Sequence, residues 1–242
     1  MAGVDAYTGI ENPFPVFSRI SDCDVKADVV IDFSNAGAAD ALLDWCVSTK
    51  TPVVLCTTGL SPEQLERVEE AAKETAVLKS ANMSVGINLL LKLLKEAAPT
   101  LAAAGFDIEI VEKHHNQKLD APSGTAITLA EGILENLDRK DKWVMGTLTA
   151  PDGTVSGTTE CKPDELPVSA IRKDEVPGIH TVRYESEADS IIITHDAKNR
   201  KGFALGPCWR LSTRLRTKAF LGMNDYFNLA HGYDTSVTQA MD

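Results

Sequence analysis

The sequence predicts an α/β protein in which a parallel sheet is followed by a mixed α+β part, and three observations predict it. Between residues 27 and 80, apolar runs rich in β-branched residues alternate with helical stretches, the strand–helix–strand–helix–strand order of a parallel sheet. After residue 106, strand-like segments crowd together, which suggests an open sheet of a different kind. The chain has 242 residues, 43% of them hydrophobic and 24% charged, enough for a sizeable core in one or two domains.

Ala27–Phe33 reads as the first buried parallel strand. Residues 35–48 read as a helix with Ala38, Ala41, Leu42, Trp45 and Cys46 on one stripe. Pro52–Cys56 is the next strand, and Thr57-Thr58-Gly59 is a turn. Ser61-Pro62-Glu63-Gln64 combines an N-cap serine, proline at the first helical position and glutamine at the third, so a helix should run to about Thr75. Ala76–Lys79 is a third strand. Ile87, Leu90, Leu91 and Leu94 keep helical spacing, and that helix should stop at Gly105. Phe106–Glu112 alternates as a half-solvated strand does, residues 113–122 form a polar loop, and Ser123 opens a helix to about Leu137. Residues 138–165 read as loops. Val168–Ile171, His180–Tyr184 and Ser190–Thr194 are further strands.

Composition excludes several function classes. A run of about 18 apolar residues is absent, so a membrane span is not expected, and neither is a secretory leader. A net charge of −11 argues against nucleic acid or an anionic membrane as partner. The charge is uneven: residues 1–206 hold 20 basic and 32 acidic side chains, and residues 207–242 hold 4 and 3. Five scattered cysteines without a Cys-x-x-Cys pair make zinc and dithiol readings weak, and reduced thiols in a cytoplasmic protein are the plain reading.

The chemistry concentrates in Glu112-Lys-His-His-Asn-Gln-Lys-Leu-Asp-Ala-Pro-Ser-Gly-Thr-Ala126. His114, His115 and Lys118 place two imidazoles and an ammonium in one loop, and Ser123-Gly124-Thr125 opens a helix whose N–H groups and hydroxyls can take a carboxylate or phosphate. Gly124 lets an anion approach the backbone closely. Histidine and lysine can donate protons near neutral pH. Taken singly, Ser123 reads equally as a plain N-cap and the histidines as surface residues. A metal reading is poor, because adjacent side chains at a strand end point opposite ways.

This fifteen-residue segment resembles the signature of the 4-hydroxy-tetrahydrodipicolinate reductase (dihydrodipicolinate reductase) family of bacterial lysine and diaminopimelate synthesis. Val29–Ser34, Cys56–Gly59, Ser80–Gly86, Ile193–Arg200 and Phe203–Gly206 resemble further family blocks in family order, over roughly residues 3–206. The resemblance implies a Rossmann-type cofactor domain, residues 1–85 plus 201–242, and an α+β substrate domain, residues 86–200, whose open sheet builds a homotetramer. It implies a hydride passed from NADH or NADPH to a small cyclic imine dicarboxylate. It implies His114 as the general acid, Lys118 as its partner and a carboxylate ligand, and His115, Ser123, Gly124 and Thr125 as substrate ligands. Cys56, Thr57 and Thr58 would lie beside the nicotinamide. Ser80, Ala81, Asn82 and Met83 would form a second cofactor contact, Arg200 would sit between the domains, and Asp5 would accept from an adenosine ribose hydroxyl, which favours NADH.

Two departures stand out. The first strand, glycine-rich turn and helix that hold the cofactor pyrophosphate in this family have no counterpart here; Met1–Asp5 looks like the end of the second strand, and pyrophosphate affinity should fall. The basic segment Pro207–Lys218 does not look like the family's apolar closing helix. A non-catalytic, dicarboxylate-binding or oligomerising remnant is the rival expectation.

Overall fold

The computed structural model describes residues 1–80, 82–158, 160–211 and 220–221. Two sheets organise it. The first is wholly parallel and contains β3 (Val30–Asp32), β4 (Val53–Leu55), β5 (Val77–Lys79) and β12 (Phe220–Leu221), in the order β12-β5-β4-β3. Among the described residues β3 is an edge strand. A separate parallel pair joins β1 (Gly3–Val4) to β2 (Val16–Phe17).

Local sequence explains the intervening helices. α1 (Ala36–Thr49) starts where the Asn35 side chain accepts from Gly37 N–H, and it ends at Lys50 with φ 55. α2 (Pro62–Ala72) has the full capping box between Ser61 and Gln64. Both helices cover one face of the sheet, where Leu42, Leu43, Cys46 and Val68 pack on Val53, Leu55 and Val77. The buried stripe of α1 is Ala39, Leu42, Leu43 and Cys46; Ala41, expected inside, is exposed. Val54 and Leu78 point to the other face and meet Met83.

The second sheet is mixed, in the order β11-β10-β6-β9-β7-β8. Its members are β6 (Asp107–His114), β7 (Lys142–Thr149), β8 (Val155–Gly157), β9 (Glu165–Arg172), β10 (Ile179–Glu185) and β11 (Ser190–Asp196). β6, β9 and β7 run parallel; β10, β11 and β8 are antiparallel to their neighbours. α3 (Val85–Ala103) and α4 (Gly124–Leu134) cover one face, where Leu90, Leu94, Leu129 and Ile133 pack on Ile108, Ile110, Leu166, Val168 and Val182. A fully buried side chain of this size contributes about 1.5–3 kcal/mol. Gly105, with φ +89, releases the chain from α3 into β6.

The structure differs from the sequence-based expectations in two places. Residues 138–165 are not all loop: β7 and β8 lie there, since Trp143 and its neighbours pair with β9 although Gly146 and two threonines blur the alternation. β6 continues through His114, so this histidine stands on a strand rather than in the loop. α5 (Lys201–Leu211) runs through position 207; the rest of the basic segment, residues 212–218, lies outside the described residues.

Candidate active site

The same faces that are apolar at one end of the second sheet become polar at the other. Along β6 the inward side chains are Ile108, Ile110, Glu112 and His114; along β9 they include Leu166, Val168 and Arg172; along β10 they run from Tyr184 through Val182 to His180. Alternation of period two puts these polar groups on the helix-covered face. Register then brings them together, because His114 pairs with Arg172 across β6 and β9, and His180 with Glu112 across β10 and β6.

Glu112, 0% exposed, is the centre of the cluster. Arg172 grips it with two hydrogen bonds of 2.8 and 3.0 Å. Glu112 Oε2 also meets His114 Nδ1, and Oε1 accepts from Ser123 N–H at 3.0 Å. Burial pushes the Glu112 carboxyl up, but the hydrogen bonds and charges of His114 and Arg172 outweigh it and hold the group below its ordinary value. Arg172 additionally donates to the carbonyls of Lys118 (3.3 Å) and Asp120 (2.6 Å), which shapes the loop between β6 and α4. Lys118 Nζ lies 2.8 Å from Asp120 Oδ1.

His180 touches the cluster edge-on, its ring 5.1 Å from that of His114. Its Nε2 lies 3.1 Å from Ser123 Oγ. Burial, then the neighbouring His114, pushes its pKa down to about 3, so His180 is neutral at working pH. Ser123 Oγ caps α4 by accepting from Ala126 N–H at 3.2 Å. The N–H groups of Gly124 and Thr125 have no intrahelical partner, as at any helix start, and the space where a Gly124 side chain would stand is open. This helix end, with Lys118 and His115 on the preceding loop, suits a carboxylate.

The first sheet supplies a different lining. A pocket of about 210 Å³ is formed by Phe33, Cys56, Ser80, Asn82, Met83 and Phe203 beyond the C-terminal ends of β3, β4 and β5. That is where ligands bind in an open parallel sheet. Phe33, 57% exposed, offers an aromatic face there. Thr57 is buried and its hydroxyl donates to Asp32 at 2.6 Å. Asn82 joins the two regions: its Nδ2 donates to Thr125 Oγ1 at 2.9 Å, and its Oδ1 accepts from Ser84 N–H at 2.8 Å.

The structure thus brings His114, Lys118, Ser123 and Thr125 to one sheet end, with His115 on the loop beside them and Gly124 in the first turn of α4. Cys56, Ser80, Asn82 and Met83 share the pocket. Thr57 and Thr58 lie beside it rather than in its lining. Asp5 is exposed at the end of β1, where it accepts from Tyr7 N–H at 2.8 Å. Arg200 is exposed just before α5, and its carbonyl accepts from Phe203 N–H. Ala81 lies outside the described residues. Sequence reasoning gave no role to Glu112, Arg172, His180, Phe33 or Phe203. The signal for the first three was a period-two face passing from Ile or Val into a charged or imidazole side chain.

Comparison with known proteins gives two family matches. The model described as "Dihydrodipicolinate reductase, N-terminus" matches residues 2–83, and "Dihydrodipicolinate reductase, C-terminus" matches residues 86–227. A 4-hydroxy-tetrahydrodipicolinate reductase of Caldanaerobacter subterraneus subsp. tengcongensis is 46% identical over 206 residues, covering 85% of this chain and 78% of that one. One from Clostridium perfringens is 41% identical with the same coverage. Among solved structures, the dipicolinate-bound dihydrodipicolinate reductase of Paenisporosarcina sp. TG-14 superimposes with a TM-score of 0.68 at 27% identity, covering 88% of this chain and 79% of that one.

Proposed function

The chain belongs to the dihydrodipicolinate reductase family, and from that premise we propose how its residues divide the reduction. The protein is a nicotinamide-dependent oxidoreductase that reduces the cyclic imine 4-hydroxy-tetrahydrodipicolinate/dihydrodipicolinate to tetrahydrodipicolinate in lysine and diaminopimelate biosynthesis. Both halves match family domains, and the rival reading of a non-catalytic remnant has no support in these comparisons.

The pocket of Phe33, Cys56, Ser80, Asn82, Met83 and Phe203 fits a flat, mostly apolar ring, so these residues would hold the nicotinamide. When bound, the reduced nicotinamide supplies the hydride. The chain's own work is to bind, orient and protonate. The first turn of α4, Ser123, Thr125, His115 and Lys118 hold the substrate carboxylates. A dianion is thereby bound by local donors although the protein is acidic overall. His114 delivers the proton that completes the reduction. The single observation that carries this reading is the Asn82–Thr125 hydrogen bond, which sets the ring-sized pocket directly beside the anion-binding helix end.

Asp5 at the end of β1 favours NADH, because it would repel a 2′-phosphate. The cofactor domain comprises residues 1–85 plus 201–242, and the substrate domain residues 86–200. A homotetramer is supported by the exposed apolar side chains Ile191, Ile192, Met145 and Val155 on the second sheet. A cytoplasmic location is supported by Cys23, Cys46, Cys56 and Cys161, which are free thiols.

The test is steady-state oxidation of NADH and NADPH with the cyclic imine, for the wild type and His114→Gln. The variant should lose about 10²–10⁴-fold in kcat with KM for the imine nearly unchanged, the size of a general-acid contribution. Unchanged turnover would remove His114 from the mechanism.

A further inference from the structure

Glu112 is a carboxylate, and an ionised carboxylate can only accept hydrogen bonds. Four groups face its two oxygens: Arg172 Nη1 and His114 Nδ1 at Oε2, and Arg172 Nη2 and the Ser123 N–H at Oε1. All four must therefore donate. We propose that Glu112, clamped by Arg172, is a positioning residue for the reduction, fixing the proton on His114 Nδ1 so that Nε2 is the nitrogen that serves the substrate. The inference rests on the reductase reading and adds two residues to it.

The surroundings of Nε2 agree. It faces Gly178, where a Cβ would come within 2.9 Å of it, and the missing side chain leaves that nitrogen uncovered. When the imidazolium gives its Nε2 proton to the substrate, the neutral ring that remains carries hydrogen on Nδ1 and keeps its bond to Glu112. Proton loss from the site-facing nitrogen thus needs no rearrangement behind the ring. The charged and titratable groups that touch His114 or its partner Glu112 are Glu112 on its own strand, Arg172 on β9 and His180 on β10; Lys118 and Asp120 pair with each other on the loop that Arg172 holds. His180 is neutral and spends its Nε2 on Ser123, so it leaves Glu112 to His114. Arg172 has a second hold, on the carbonyls of Lys118 and Asp120. One guanidinium therefore ties the proton donor, the ammonium-bearing loop and the start of α4 into one rigid unit.

A pair that merely fastened strand ends would affect stability and leave the proton position of His114 and the chemistry alone. Histidine ¹⁵N NMR of the wild-type protein, with neither substrate nor cofactor, separates the two roles. In its neutral form the His114 ring should be the Nδ1–H tautomer; the Nε2–H tautomer would overturn the proposal. Glu112→Gln is the kinetic arm. In either orientation of the amide the negative charge that stabilises the His114 imidazolium is gone, and with the NH₂ toward His114 the acceptor for Nδ1–H is gone too, so kcat should fall about 100-fold, with KM for the imine changed less than about tenfold and NADH affinity unchanged. A kcat within about twofold of wild type would overturn it. If Glu112→Gln does not fold, the wild-type tautomer decides alone. A wild-type chain with the Nδ1–H tautomer but no reductase activity would refute the reductase reading and leave the positioning geometry supported.

Discussion

The second sheet is built mainly from strands of seven and eight residues whose inner face passes from Ile, Leu and Val into Glu112, His114, Arg172 and His180, while the first is built from strands of two and three residues that end in a hydroxyl–carboxylate contact between Thr57 and Asp32. Both offer polar groups at one sheet end, but by different means. Long strands with fixed register can carry a buried ion cluster, because each charge is met by a partner on the neighbouring strand. Short parallel strands leave the work to the loops that follow them, and these present aromatic, thiol and amide groups around a shallow pocket. The difference suits the two duties proposed for the sheet ends. A dianion and a proton transfer call for fixed charges, whereas a nicotinamide ring calls for a flat apolar slot.

The largest effect should come from removing the ammonium on the loop beside the charged cluster. Lys118→Ala should raise KM for the imine and lower kcat, with kcat/KM down about 100-fold, the size expected from losing a charge-assisted hydrogen bond to a carboxylate. Steady-state kinetics would show it, and an unchanged KM would contradict the carboxylate role. Cutting the link between the two regions should do less. Asn82→Ala removes the bond to Thr125, worth about 1 kcal/mol, so substrate KM should rise about fivefold, and prior saturation with NADH should tighten a pyridine-2,6-dicarboxylate analogue less than in the wild type. Equal tightening in both proteins would show that the link carries no coupling.

A separate effect concerns stability at mildly acid pH. His180 titrates at about 3 in the fold and near 6.5 when unfolded. As pH falls below 6.5 the unfolded chain takes up a proton that the folded chain refuses, so stability declines toward pH 3, by up to about 1.4 kcal/mol per pH unit from this group. Urea denaturation at pH 7 and pH 5 should therefore show a shallower loss for His180→Gln than for the wild type. Equal losses would mean that the buried ring is not the cause.

The unequal legibility of the two regions in the sequence has the same physical origin. The strand–helix alternation of residues 27–80 was plain because its signals are local: the capping box at Ser61 and Gln64, and the apolar runs at Val53 and Val77. The loop reading of residues 138–165 failed because β7 owes its existence to pairing with β9 and not to its own alternation. His114, Lys118 and Ser123 were legible because one segment carries them. Arg172 and His180 lie about sixty residues further on and join Glu112 only through strand register, which a linear reading does not contain. Phe33 and Phe203 meet in the pocket by the same long-range route.

In the proposed function the two sheet ends form one reductase site, although no glycine-rich strand-to-helix turn occurs among the described residues of the cofactor region. Fluorescence titration of NADH, with and without pyridine-2,6-dicarboxylate, tests it most directly. One shared site should bind NADH in the micromolar range and bind it more tightly when the dicarboxylate is present. Undetectable NADH binding beside intact dicarboxylate binding would contradict it.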